Sequence, residues 1–309
     1  MKSKHLITIK DLDFSDIEEI FDLTVELKSK GEPAGGDPLK GKCLGLIFQK
    51  PSLRTKVSFA VAMAQLGGTA IYMAPDEIKL GERESIRDVA RTLSRYLDGI
   101  VARTFKHGDV VELAEYSTVP VINGLSDFSH PCQALSDLYT VREKKGDLKG
   151  LKLAFVGDGN NVCNSLMMAA ARMGTDVAVA TPKGYEPDRE VVKISLDFAA
   201  VTGSKVELLS NPEKAITGAD VVYTDVWTSM GQEKERAKRL KAFKGFQINE
   251  KICSKAKKDY IVMHCLPAHR GEEISDESLE GPHSVIFDQA ENRLHVEKAV
   301  LILLLRSTR

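Results

Sequence analysis

Short apolar runs alternate with amphipathic stretches along this chain in two successive cycles, and few folds accommodate that rhythm. In the first cycle residues 43–48, 69–73, 99–103 and 119–123 have the length and composition of buried strands, each separated from the next by a helical segment. A strand that returns after a helix lies parallel to its predecessor, so the expected product is a parallel sheet with helices on its faces. From Leu151 the rhythm begins again, with strands expected at residues 152–156, 176–180, 205–209, 221–225 and 260–265. The fold class is therefore α/β: two doubly wound parallel-sheet domains joined by interdomain helices.

A chain of 309 residues is long for a single core, which agrees with two domains and a cleft between them. Ser15 and Glu18 have capping-box spacing, and Ile17, Ile20, Phe21, Thr24 and Leu27 follow at helical spacing up to a turn at residues 31–37. A second stripe, Ile86, Val89, Ala90, Leu93 and Leu97, predicts a helix over residues 84–97. A helix built on Ala134, Leu135, Leu138 and Val141 leads into a polar segment at residues 144–150, where the domains divide. Residues 290–305 read as one helix, too apolar at its end for solvent, which should pack back on the first domain. The expected domains are residues 1–146 with 290–309, and residues 147–289.

Bulk properties narrow the function. A formal net charge of -1 provides no footprint for nucleic acid or an anionic membrane surface, so a small molecule is the expected ligand. The five cysteines are odd in number and scattered, without a Cys-x-x-Cys pair, which indicates neither a disulfide framework nor a zinc ribbon. The N-terminal region soon meets Asp11, Asp13 and Asp16 and has no secretory apolar core, and the apolar run at residues 299–305 is too short for a bilayer. A cytoplasmic protein is expected.

Ligands of open parallel sheets gather beyond the carboxyl ends of the strands. After the first strand, Ser52-Leu53-Arg54-Thr55 enters a helix, placing two hydroxyls, unpaired amides and a planar guanidinium at a positive helix end, an arrangement suited to phosphate. With Lys56-Val57-Ser58-Phe59 the segment resembles the phosphate-binding signature of the aspartate and ornithine carbamoyltransferases, with Leu53 in place of a hydroxyl residue. The resemblance continues through Arg103, His130-Pro131-Cys132-Gln133, Asp225-Val226-Trp227-Thr228-Ser229-Met230-Gly231, His264-Cys265-Leu266-Pro267 and Arg293, in family order from about residue 46 to 305.

It implies that Ser52, Leu53 (through its amide), Arg54, Thr55 and Arg103 hold the phosphate of carbamoyl phosphate. His130 and Arg293 would address the carbamoyl oxygen, and Gln133 with the Leu266 carbonyl the carbamoyl nitrogen. Lys79, in the polar loop at residues 74–81, would reach a neighbouring subunit's site, which makes the protein a homo-oligomer, a trimer or an assembly of trimers. Gly157-Asp158-Gly159-Asn160-Asn161-Val162 imitates a dinucleotide fingerprint. Its third glycine is missing, however, and the next strand ends in Thr181-Pro182 rather than an acidic residue. In ornithine-specific members such a turn presents an asparagine to the α-carboxylate, here Asn161. Asp225, Ser229 and the Met230 amide would bind the rest of the amino-acid head, and Cys265 would contact the nucleophilic amine.

The implied reaction is transfer of a carbamoyl group from carbamoyl phosphate to the δ-amine of L-ornithine, giving L-citrulline and phosphate in arginine metabolism. Arg54, Arg103, His130, Cys265 and Asp225 would be catalytic. Neither an organic cofactor nor a metal is implied, and His264, Cys265 and His269 make a poor metal set by themselves. Putrescine, acetylornithine and aspartate are competing acceptors, and a Rossmann dehydrogenase is the remote alternative.

Overall fold

Asp13 opens the first helix by reciprocal capping: its Oδ1 accepts from the Asp16 amide at 2.9 Å while Asp16 Oδ2 accepts from the Asp13 amide at 3.1 Å. The cap is thus Asp13 with Asp16 rather than Ser15 with Glu18, because Ser15 already lies within the helix and its hydroxyl donates back to Asp13. The computed structural model describes residues 1–30, 36–229 and 231–306. Most of the turn expected at residues 31–37 therefore lies outside the described residues. Contacts divide the chain into two units, Met1–Ser136 with Glu291–Arg309, and Asp137–Ala290.

The first unit runs α1 (Phe14–Lys30), β1 (Cys43–Phe48), α2 (Leu53–Gln65), β2 (Thr69–Met73), α3 (Pro75–Ile78), α4 (Ile86–Leu93), β3 (Gly99–Arg103), α5 (His107–Tyr116), β4 (Val121–Leu125) and the start of α6 (Pro131–Lys145). Its four strands are parallel in the order β2-β1-β3-β4. Successive connections leave β1 toward opposite edges, which opens a crevice between the carboxyl ends of β1 and β3. The apolar stripe of α1 is buried at Ile17, Ile20, Phe21, Thr24 and Leu27.

Three local expectations shift. β4 begins at Val121 rather than 119, because the Ser117 hydroxyl bonds both the carbonyl and the amide of Val119 and holds it in a turn. The helix expected over residues 84–97 is α4 alone: Ser85 caps the Asp88 amide, and the chain tightens after Ser94. Lys79 stands not in an open loop but at the end of α3, with φ of 40°. Leu6, outside any predicted strand, bridges to Ile122 and covers the outer edge of β4.

The second unit continues from α6 through β5 (Lys152–Val156), α7 (Asn161–Arg172), β6 (Asp176–Ala180), α8 (Arg189–Thr202), β7 (Val206–Leu209), α9 (Pro212–Ile216), β8 (Val221–Thr224), α10 (Arg236–Ala242), α11 (Glu250–Cys253), β9 (Ile261–His264), α12 (Asp276–Glu280) and the start of α13 (Ile286–Leu305). The sheet is parallel in the order β7-β6-β5-β8-β9, so its connections reverse between β5 and β8. Val162 to Ala171 of α7 are buried without interruption, as befits a helix pressed on a sheet. Tyr223 donates to buried Asp137 at 2.9 Å, and Gln289 donates to Asp137 at 2.7 Å while accepting from the His264 amide at 2.9 Å. This closed network satisfies polar groups from α6, β8, β9 and α13 within the unit.

α13 starts at Ile286, earlier than expected, and its part from Glu291 belongs to the first unit. Arg293 meets α2 and α6 there, Asn292 accepts from Lys28 of α1 at 2.8 Å, and Val296, Ala299, Val300 and Leu301 are fully buried. From Glu291 onward the C-terminal helix is therefore part of the first unit's core.

Candidate active site

In the first unit the crevice between β1 and β3 collects positive charge. Ser52 precedes α2 with extended backbone and its hydroxyl accepts from the Thr55 amide at 3.2 Å, an N-cap that fixes Arg54 in the first turn. Leu53 is exposed at 75%, so its position contributes backbone rather than packing. Arg103 ends β3 and is buried. The register slips between Ala102 and Arg103, leaving Gly124 as the extra residue of β4. A Cβ on Gly124 would lie 3.0 Å from Val101 and 3.3 Å from the Thr55 methyl, so glycine lets α2 settle close to the sheet without either side chain giving way.

His130, just before α6, is buried among these cations. Burial first, then the positive fields of Arg293, Arg103, Lys50 and Arg54, hold its pKa well below the ordinary value, so at neutral pH it is an uncharged imidazole. Arg293 reaches the same cluster from α13, donating to Gln133 Oε1 at 2.7 Å and Thr55 Oγ1 at 3.4 Å. Lys79 is exposed, and among the described residues its side chain makes no hydrogen bond or ion pair. The expected residues Ser52, Arg54, Thr55, Arg103, His130, Gln133 and Arg293 thus gather in one place, and Lys79 is not held with them.

In the second unit the corresponding reversal point, between β5 and β8, is lined by two turns. The first is Gly157-Asp158-Gly159-Asn160; a Cβ on Gly159 would lie 2.3 Å from the Pro187 nitrogen, so the turn needs glycine to pass the neighbouring backbone. Asn160 caps α7 by accepting from the amides of Val162 and Cys163, and its Nδ2 donates to Asp225 Oδ2 at 2.7 Å. The second turn follows β8. Asp225 is buried and also accepts from the Cys265 thiol at 3.0 Å and the Val226 amide at 2.8 Å. Asn161 stands beside this group as the first residue of α7, and Ser229 lies in the same turn as Asp225, with its amide donating to Gln232 at 3.1 Å. Met230 lies outside the described residues.

His264 Nδ1 accepts from the Leu266 amide at 2.8 Å, so the ring proton sits on Nε2, 3.2 Å from Glu273. Leu266 is held at φ of 58°, a left-handed conformation that costs about 1–3 kcal/mol and presents its carbonyl in a fixed direction. The donor atoms of Asp225, His264 and Cys265 lie within 4.8 Å of one another, as do those of His269, Glu272 and Glu273. In the first group the imidazole is committed to Leu266 and Glu273, and the carboxylate to Asn160 and the thiol, so the protein itself satisfies these donors.

Four functional neighbours escaped sequence reasoning. Glu297, fully buried, binds Arg293 and could have been found from its i, i+4 spacing on an amphipathic helix. Lys50 is buried beside Arg103. Asn160 rather than Asn161 holds Asp225. Arg239 clamps Asp158 at 2.8 Å and the Trp227 carbonyl at 3.0 Å. For the last three the sequence carries no signal, since each acquires its role from a partner on a distant strand or helix.

Two family models match nearly the whole chain: the aspartate/ornithine carbamoyltransferase carbamoyl-P binding domain over residues 4–143, and the Asp/Orn binding domain over residues 149–304. The ornithine carbamoyltransferase of Pyrococcus abyssi is 54% identical over 308 residues, covering 99% of this chain and 96% of that protein. The anabolic ornithine carbamoyltransferase of Pyrococcus furiosus is 59% identical over 267 residues, covering 86% and 85%. A solved ornithine carbamoyltransferase structure from Pyrococcus furiosus superposes with a TM-score of 0.95 at 53% identity, covering 99% of this chain and 98% of that one. With both of its sheets, both of its turns and nearly every residue accounted for, the chain belongs to the aspartate/ornithine carbamoyltransferase family.

Proposed function

We propose that this chain, a carbamoyl group transferase, moves the carbamoyl group from carbamoyl phosphate to the δ-amine of L-ornithine, giving L-citrulline and phosphate. The observation that carries the assignment is the gathering of Arg54, Arg103 and Arg293 near a buried neutral His130 at the mouth of α2, a positive site suited to an anion. Relatives named ornithine carbamoyltransferase over almost the full chain supply the acceptor.

In this reading Ser52, the Leu53 amide, Arg54, Thr55 and Arg103 hold the phosphate. His130, uncharged, donates an N–H toward the carbamoyl oxygen, and Arg293 adds its charge there. Gln133 and the Leu266 carbonyl take the carbamoyl nitrogen; since Gln133 and Arg293 are bonded to each other, ligand binding exchanges that bond. Asn161, Asp225, Ser229 and the Met230 amide bind ornithine's amino-acid head. The δ-amine, with a pKa of about 10.4, is almost wholly protonated at pH 7 and must shed a proton before attack. Asp225 and Cys265, joined by a hydrogen bond, form a pair able to receive it. The amine then adds to the polarised carbon and the tetrahedral intermediate expels phosphate.

The carbamoyl phosphate domain is taken as residues 1–146 with 290–309, and the ornithine domain as residues 147–289. The working form is a cytoplasmic homotrimer in which Lys79 serves a neighbouring copy, a reading supported by its exposed side chain. A role in arginine biosynthesis is supported by the anabolic designation of the Pyrococcus furiosus relative. Supplying carbamoyl phosphate with ornithine, putrescine, acetylornithine or aspartate, and measuring phosphate release and ureido product, tests the acceptor. Ornithine should be used at least a hundredfold more efficiently; faster turnover of another amine would reassign the substrate.

A further inference from the structure

We propose that Lys50 is a further ligand of the anion site, binding the phosphate group as an ammonium and taking up a proton as that group arrives. This rests on the carbamoyl phosphate reading above.

Lys50 lies between the end of β1 and Ser52, next to the point where the Gln49 amide donates to the Arg103 carbonyl at 2.8 Å. The same crevice that holds Arg103 therefore holds Lys50. The residue is only 8% exposed, with Nζ 5.2 Å from the centre of the Phe105 ring. Among the described residues it has no hydrogen-bond acceptor and no ion-pair partner. Two partly buried lysines are partnered, Lys28 by Asn292 at 2.8 Å and Lys145 by Asp259 at 2.7 Å. Lys298 is as buried as Lys50 without such a partner among the described residues, so what sets Lys50 apart is its place beside Arg103 and the capped start of α2. A buried ammonium with three unused protons is a poor structural element and a ready anion ligand.

The surrounding charges agree. Arg103 from β3 repels Lys50, and Asp127, from the connection between β4 and α6, attracts it. The Asp127 carboxylate is exposed and already accepts from the His107 amide at 2.7 Å. Lys50 in turn acts on His130 alongside Arg293, Arg103 and Arg54, which puts all four cations around one imidazole. Burial first, then Arg103, lowers the Lys50 pKa to about 8. Near that pH part of the population is neutral while the site is empty, and a dianion restores the charge.

The test is calorimetric titration of the full-length protein with inorganic phosphate at pH 8.5, in two buffers of different ionisation enthalpy. At that pH phosphate is already a dianion, so a proton taken up goes to the protein. The wild type should take up a fraction of a proton per phosphate bound. Lys50→Met should bind at least tenfold more weakly and lose the uptake. Lys50→Arg should keep the affinity within about threefold but also lose the uptake, because a guanidinium does not titrate there. Uptake that persists in Lys50→Arg overturns the proposal even if Lys50→Met fails to fold. Phosphate binding lost in Arg54→Gly but unchanged in Lys50→Met would overturn the role of Lys50 and leave the anion site standing. A wild type that binds neither phosphate nor carbamoyl phosphate would overturn both.

Discussion

Arg293 and Glu297 lie one helical turn apart on α13, both buried, with Oε1 of the glutamate accepting from Nη2 at 2.6 Å and from Nε at 2.9 Å. The glutamate orients the guanidinium so that its remaining nitrogen points to Gln133. Removing the carboxylate leaves a buried charge without its counterion. Glu297→Ala should therefore lose about 3–5 kcal/mol of stability in urea unfolding. Changing both residues to methionine should recover much of that loss. A single mutant within about 1 kcal/mol of wild type would show that the pair is dispensable.

Arg54 stands in the first turn of a capped helix, where its charge adds to unpaired amides. Arg54→Gly should reduce kcat by about a thousandfold or more at saturating substrates. Turnover close to wild type would remove this side chain from the reaction.

Asp225 is the common acceptor for Asn160, Cys265 and the Val226 amide. Asp225→Asn should raise the ornithine KM and lower kcat, because an amide receives no proton and rearranges both neighbours. Phosphate affinity should be unchanged, since the anion site belongs to the other unit. A parallel loss of phosphate binding would contradict this division of labour.

Asp158 responds to pH. Burial raises its pKa to about 6 despite the opposing charge of Arg239. Because the folded-state value lies above the ordinary aspartate value of 3.8, this group's contribution to stability is full below about pH 4 and is lost as pH rises to about 6. Its protonation also breaks the ion pair that, through Arg239, steadies the Trp227 carbonyl. Ornithine KM should therefore climb as pH falls from 7 to 5, and Asp158→Asn should flatten that part of the profile. An unchanged slope in the variant would assign the effect elsewhere.

Lys79 offers a test of assembly. Variants Lys79→Ala and Arg54→Gly should each be nearly inactive, but a mixture dissociated and reassembled together should regain part of the activity. That recovery requires a site furnished by two copies. No recovery, in mixtures verified to contain hybrid oligomers, would confine the site to one chain.

Buried parallel strands are continuous apolar runs, and for that reason β1, β3, β5 and β6 fall where the run limits place them; β2, partly exposed at the sheet edge, also keeps its limits. Ends were misread where one side chain captured the backbone, as Ser117 does at Val119 and Asp13 does at the start of α1. The same split holds at the site. Arg54, Arg103, His130 and Arg293 were legible because each belongs to a recognisable segment and the sheet order brings those segments to one crevice.

By itself the sequence determined the alternation of strands and helices, the doubling of the unit and the chemical types waiting at the strand ends, because periodicity and local caps are properties of neighbouring residues. Only the tertiary structure decided that Lys50 would be buried beside Arg103, that Asn160 would hold Asp225, and that Arg239 would anchor the turn beside it. Burial and electrostatic fields arise from groups far apart in the chain, and no local pattern encodes them.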